Sequence, residues 1–127
     1  MKRPRNRNVV DAKWIFKKKI DSEGNICKYK ARWVARGFSQ KPGKDFFETY
    51  SPVVKKTTLR TLFAISTLKQ WEKRDIDVDA AYLNSKIKEE VYVEQPEVFE
   101  LQDPRDYVFK LKRSLYGLHQ SGKNWNE

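Results

Sequence analysis

Little in this chain invites covalent cross-links or soft-metal chemistry. Among its 127 residues there is one cysteine, Cys27, and one histidine, His119. A disulfide within the chain needs two thiols, and a Cys/His zinc centre needs several such ligands, so both are excluded. No stretch approaches the roughly 20 apolar residues that a membrane-spanning helix requires. The basic start lacks the apolar region of a secretory signal peptide, so an intracellular protein is expected, not a secreted one. Internal repeats and low-complexity runs are missing as well, which leaves one domain or a piece of one. Aromatic residues, by contrast, are plentiful: four Trp, six Tyr and seven Phe within a hydrophobic content of 39%. That is enough apolar material to build a core.

Charge is distributed unevenly. Residues 1–45 hold 14 Lys and Arg against 4 Asp and Glu, a balance of +10, and residues 46–127 hold 13 of each. All of the excess positive charge therefore lies in the first third. A basic block of this kind suits a polyanion, nucleic acid or an anionic membrane surface, and also serves as a solvated face. Trp14, Phe16, Tyr29, Trp33 and Phe38 are interleaved with these charges. Their rings either stack on bases or belong to the core, and the first reading points to a nucleic-acid surface.

Residues 1–10 read as a basic, flexible leader. Val9 to Ile20 alternates as a strand does, with Trp14 and Phe16 on one face and Lys13, Lys17 and Lys19 on the other. Asp21-Ser22-Glu23-Gly24-Asn25 is turn chemistry. Ile26 to Arg36 follows as a second strand with Lys28, Lys30, Arg32 and Arg36 on one face, giving a basic β-hairpin. Gly37 to Pro52 is irregular, broken at Pro42-Gly43. A helix is expected from an N-cap at Thr57 or Thr58 to about Gln70, packed against a sheet through Leu59, Leu62, Phe63, Ile65 and Leu68. Further strands are expected at Lys73–Val78, Glu90–Glu94 and Tyr107–Leu111, with a last helix starting near Trp125. The fold class is α+β.

Arg74 to Ser85 holds the most distinctive pattern, with Asp75, Asp77 and Asp79 alternating with Ile76 and Val78. In a strand the two apolar residues face the core and the three carboxylates share the other side. Clustered carboxylates call for a cation. An EF-hand calcium loop counted from Asp75 needs Gly at its sixth place and Glu at its twelfth, and Ala80 and Lys86 stand there instead. A glycine-rich phosphate loop is absent too. Asp75 and Asp79 are best read as solvated, with Asp77 the most firmly held of the three. Mg²⁺ fits such a site, because it takes few protein carboxylates and completes its shell with water and phosphate.

Several blocks together carry a resemblance. They are Lys13-Trp14-Ile15-Phe16-Lys17, Tyr29 to Gln40 (YKARWVARGFSQ), and Phe47 to Lys55 (FETYSPVVK). Asp77-Val78 with Ala81-Tyr82-Leu83-Asn84 follows, then Glu89 to Val93 with Gln95-Pro96, and Leu115 to Gln120 (LYGLHQ) with Trp125. In this order they resemble the amino-terminal part of a Ty1/copia-type retrotransposon reverse transcriptase, an RNA-directed DNA polymerase. The resemblance implies a partial domain over residues 11–127: a fingers-like part over 11–55 and the first half of a right-hand palm over 56–127. It implies that Asp77 is a catalytic aspartate and that the Val78 carbonyl shares its Mg²⁺. Tyr82 matches the aromatic that blocks a ribose 2′-hydroxyl. Lys30 and Arg32 lie where the fingers hairpin meets the triphosphate, in either register, and Gly117 and Gln120 fall in the motif lining the nucleotide pocket.

The partners so implied are an RNA template, a DNA primer, deoxynucleoside triphosphates and the rest of a Pol polyprotein, with no membrane. The implied setting is a cytoplasmic virus-like particle or the nucleus. Ser85, His119, Gly122 and Lys123 stand where the family usually has Gly, Lys, Pro and Arg. The family's Asp-Asp hairpin, which brings the remaining catalytic aspartates, falls beyond Trp125. The resemblance therefore implies a fragment that is inactive alone. A non-catalytic nucleic-acid-binding remnant of a transposon is the alternative.

Overall fold

In the computed structural model, which describes residues 1–127, the alternating stretch after the leader divides at Asp11. β1 (Val9–Val10) precedes it and β2 (Ala12–Ile20) follows. The Asp11 side chain causes the break. Its Oδ1 accepts from the Ala12 N–H at 2.7 Å, and its Oδ2 pairs with Arg36 at 2.9 Å. The expected turn forms at Asp21, whose Oδ1 accepts from the N–H groups of Glu23 (3.0 Å) and Asn25 (2.9 Å). Gly24 completes it at φ +91°, where a side chain is disfavoured. β3 (Ile26–Ala35) returns antiparallel, with Trp14 opposite Trp33, Phe16 opposite Ala31 and Lys17 opposite Lys30. Residues directly opposite share a face. The hairpin is thus two-sided: Trp14, Phe16, Tyr29 and Trp33 on one face, and Lys13, Lys17, Lys19, Lys28, Lys30 and Arg32 on the other.

A second, smaller sheet holds the core. β4 (Tyr92–Val93) lies in its middle, parallel to β1 and antiparallel to β5 (Phe109–Lys110). Both β4 and β5 are shorter than their sequence patterns suggest. Val10, Val91 and Val93 are fully buried, and Ala35, Leu115 and Leu118 close over them. Each of these Val and Leu side chains contributes about 1.5–3 kcal/mol at most when taken from water. The first residues run along the sheet edge: Met1 and Val108 exchange hydrogen bonds at 2.9 Å in both directions. Arg3 grips Glu94 with two nitrogens, at 2.8 and 2.6 Å.

α1 (Lys56–Leu68) begins at Lys56, ahead of the expected cap at Thr57 or Thr58, and Lys55 before it is extended with no capping side chain. It does not pack against a sheet. Ser66 is its one buried residue, while Leu62 and Leu68 stand in solvent. The strand expected over Lys73–Val78 is also absent. Residues 72–79 make no backbone–backbone hydrogen bond. Ile76, expected to face the core, is 87% exposed and Val78 is 43% exposed. Alternation produces a strand only where a neighbouring backbone offers a ladder, and neither sheet extends to this segment. α2 (Ala81–Asn84) follows the carboxylates directly, whereas α3 (Ser121–Asn126) starts before the expected Trp125. A mixed α and β architecture with two small sheets is therefore what forms, and no helix is long and apolar enough to cross a membrane.

Candidate functional site

β3 borders a cleft of about 600 Å³, with residues of both hairpin faces on one side and the carboxylate segment on the other. Lys30 and Arg32 stand on one side, Asp77, Val78 and Asp79 on the other, with Tyr116 between. Four of the residues singled out in the sequence, Lys30, Arg32, Asp77 and Val78, are therefore brought to one cavity. Tyr82 joins them indirectly. Its ring lies 5.1 Å from that of Tyr116, centroid to centroid, and the Arg32 guanidinium sits 5.4 Å above the same Tyr116 ring. This stack couples a cation to the π-face of Tyr116 and holds Tyr82 beside it.

The cationic wall is electrostatically crowded. Arg32 is the main reason that the Lys30 ammonium loses its proton more easily than an ordinary lysine. Desolvation and the charges of Lys19 and Lys28 act the same way, while Asp79 pulls in the opposite direction. A polyanion placed here would relieve that repulsion. Asp79, expected to be merely solvated, thus lines the cleft and acts on Lys30. Between Asp79 and α2, Ala80 is held in the left-handed region at φ 52°, a conformation that costs a non-glycine residue about 1–2 kcal/mol. That turn redirects the chain from the carboxylates to Tyr82.

The opposite wall is formed by Asp77 and Val78, residues that carry hard oxygen donors in a carboxylate and a backbone carbonyl, and Asp77 takes part in no ion pair. Such a donor set fits one Mg²⁺ that draws its other ligands from water and substrate phosphate. It does not amount to a closed protein cage: no three His, Cys, Asp or Glu side chains come together to hold a metal.

Gly117 and Gln120 lie behind the cleft rather than in it. Gly117 has φ +93°, and a Cβ there would come within 2.0 Å of the Ala35 carbonyl oxygen. A Cβ on Gly37 would in turn meet the Gly117 carbonyl at 2.4 Å, and the Ala35 N–H donates to the Tyr116 carbonyl at 2.8 Å. Only glycine permits these backbones to touch. Gln120 is fully buried. Its Oε1 accepts from Gln40 Nε2 at 3.0 Å, and its Nε2 donates to the Asp45 carbonyl at 2.8 Å. Gln40 Oε1 accepts from the His119 N–H at 2.8 Å, and the Asp45 carboxylate accepts from Asn8 Nδ2 (2.6 Å) and the Lys41 N–H (2.7 Å). With both ends of its amide satisfied inside the protein, Gln120 supports the loop that carries Tyr116 and does not reach the cavity.

Sequence reasoning missed Tyr116 and Gln40. For Tyr116 a signal was available, since it adjoins Gly117 within the quoted LYGLHQ block.

Comparison with known proteins bears on this geometry. The family described as "Reverse transcriptase (RNA-dependent DNA polymerase)" matches residues 1–127. The chain is 41% identical over 122 residues to the retrovirus-related Pol polyproteins from transposons RE2 and RE1 of Arabidopsis thaliana. It is 43% identical over 122 residues to that from transposon TNT 1-94 of Nicotiana tabacum. Each alignment covers 96% of this chain but only 8–9% of the relative, so the chain spans under a tenth of those polyproteins. No solved structure matches.

Proposed function

The chain belongs to the reverse transcriptase (RNA-dependent DNA polymerase) family, and from that premise we propose that the cleft is the fingers-and-palm side of a deoxynucleotide site. On this reading residues 11–55 are the fingers-like part and 56–127 the start of the palm. Lys30 and Arg32 bind the triphosphate, and its charge offsets the repulsion between them. Tyr82, backed by Tyr116, lies under the sugar and leaves no room for a 2′-hydroxyl. Asp77 and the Val78 carbonyl would hold Mg²⁺. When bound, Mg²⁺ supplies charge neutralisation at the phosphoryl group. The RNA template and DNA primer approach over the basic hairpin, and the rest of a Pol polyprotein completes the enzyme. The observation that carries the reading is the meeting of Lys30 and Arg32 with Asp77 and Val78 across one cavity.

Titration of the 127-residue chain with fluorescent dTTP and UTP in Mg²⁺ tests it. The expected result is tighter binding of dTTP, weakened about tenfold or more when Lys30 and Arg32 both become Ala. Equal affinity for the two sugars overturns the gate, and unchanged affinity in the double variant overturns the triphosphate role. Two-metal transfer needs more carboxylates than Asp77 and Asp79 supply, so the chain alone is expected not to extend a primer. Robust incorporation by it would defeat that expectation.

A second reading, a non-catalytic nucleic-acid-binding module, is favoured by one specific observation. Every charged residue in β2 and β3 is Lys or Arg, and none of them is ion-paired. It predicts salt-dependent binding of RNA or DNA that survives Asp77→Ala and falls when Lys30 and Arg32 are neutralised.

A further inference from the structure

We infer that the aromatic face of the β2–β3 hairpin is a self-association surface, covered by the same face of a second copy of this chain. The inference does not rest on the nucleotide reading of the cleft.

Trp14, Phe16, Lys18, Tyr29, Ala31 and Trp33 share this face, since Trp14 pairs with Trp33, Phe16 with Ala31 and Lys18 with Tyr29. Lys18 is the one charge among them, whereas the other face carries six cations. Phe16 is 75% exposed and Tyr29 71% exposed, although both are large rings on a regular sheet. Trp14 joins the face to the loop after β4. Its ring stacks on Phe16 at 6.1 Å and meets Phe99 edge-on at 5.6 Å, and its Nε1 donates to the Glu97 carbonyl at 3.2 Å. Buried Gln95 holds that loop in shape. Its Nε2 donates to the Gln102 and Tyr107 carbonyls, both at 3.0 Å, and its Oε1 accepts from the Leu101 N–H at 3.0 Å. Phe99 and Leu101 stand in solvent on the loop. Glu97 and Glu100 are exposed beside them, and neither is ion-paired.

Charge decides the occupant. The face is apolar in the middle, positive at Lys18 towards the hairpin tip, and negative at Glu97 and Glu100 by its root. Phe16 stands midway along β2 between Trp14 and Lys18, which lie about 13 Å apart. A two-fold axis through Phe16 therefore lays Lys18 of each copy over the acidic loop beside Trp14 of the other, so one patch complements itself. The exposed stripe of α1 has no such complement: Lys56 and Arg60 within it and Lys55 and Lys69 at its ends are all positive, and two copies would repel. The three exposed rings with Leu101 and its neighbours bury roughly 1,000 Å² across such a pair, the low end for a specific interface. That area suits a weak dimer, preorganised by the Gln95 contacts.

Sedimentation velocity of the intact 127-residue chain, from about 1 to about 300 µM, tests this. The expected result is a reversible monomer–dimer equilibrium with a Kd on the order of tens of µM. Phe16→Ala with Tyr29→Ala should weaken it about tenfold or more. Lys18→Glu sets like charges against each other at both ends of the dimer, and so does Glu97→Lys with Glu100→Lys. Each change should weaken association about tenfold at low salt. Mixing these two variants should restore it, because each copy then supplies the charge that the other has lost. All the altered side chains are exposed, so melting curves of the variants should match the parent.

A chain that stays monomeric at the highest concentration overturns the inference. If the ring variant then also loses oligo-dT, the face passes to nucleic acid. Association that ignores the ring and charge changes overturns it too, as does association lost on Leu62→Asp instead, which moves the contact to α1. Reversed variants that remain apart when mixed defeat the two-fold pairing of Lys18 with the acidic loop.

Discussion

Val91 and Val93 are fully buried where β1, β4 and the Leu115–Leu118 segment meet, whereas Leu62, Leu68 and Ile76 stand in solvent. All are apolar residues in patterned stretches. The difference lies in what surrounds them. Around β4, chain segments distant in sequence converge, and even polar groups such as Gln120 find partners there. Between Val53 and Asp79 no hydrogen bond or ion pair reaches a distant segment, and α1 leaves its apolar residues uncovered. The cleft consequently has one wall fastened to the core, carrying Lys30 and Arg32, and one wall held by no backbone ladder, carrying Asp77 and Val78.

The contrast can be broken most forcefully at matched leucines. Leu115→Ala should cost about 2–5 kcal/mol, because it opens a cavity in the core. Leu62→Ala, on the exposed side of α1, should stay within about 0.5 kcal/mol. Urea unfolding of the two variants measures the difference, and equal losses would erase the distinction between the regions. Next in size comes Gln40→Ala, which strands Gln120 Oε1 and the His119 N–H without partners. A loss of about 1–3 kcal/mol is expected in the same assay.

Smaller, and of opposite sign, is Ala80→Gly. Relief of the left-handed strain should raise the melting free energy by about 1 kcal/mol, partly offset by glycine's greater freedom when unfolded. A destabilised variant would show that this turn is not strained. The least of the effects concerns no stability at all. Since Arg32 is the chief cause of the lowered Lys30 pKa, Arg32→Gln should move it back up towards the ordinary lysine value, read by NMR titration of the Lys30 ammonium. An unmoved titration would place the cause elsewhere.

Local rules explain what was legible in the sequence. The hairpin was readable because its period-2 alternation and its Asp21–Asn25 turn are decided within neighbouring residues, and both faces came out as the pattern implied. The same alternation at Asp75–Asp79 misled, because a strand there depends on a partner backbone that the pattern cannot supply. Helix α1 was legible in extent and not in packing, for the same reason. Meeting of Lys30 and Arg32 with Asp77 and Val78 followed from the family resemblance, not from any spacing. The Gln40–Gln120–Asp45 network was invisible, since polar side chains are buried only where distant segments happen to satisfy them.

One contact has a mechanical meaning. The base of the hairpin and the Tyr116 loop touch backbone to backbone at Gly37, Ala35 and Gly117, with no side chain between them to slide or re-rotamerise. The two segments behave as a rigid crank. A tilt at the hairpin's root must carry Tyr116, and with it the ring surface beneath Arg32 and beside Tyr82. Any widening of the cleft on the hairpin side therefore has to come from flexing β2 and β3 between Trp33 and Lys30, and not from swinging at the root.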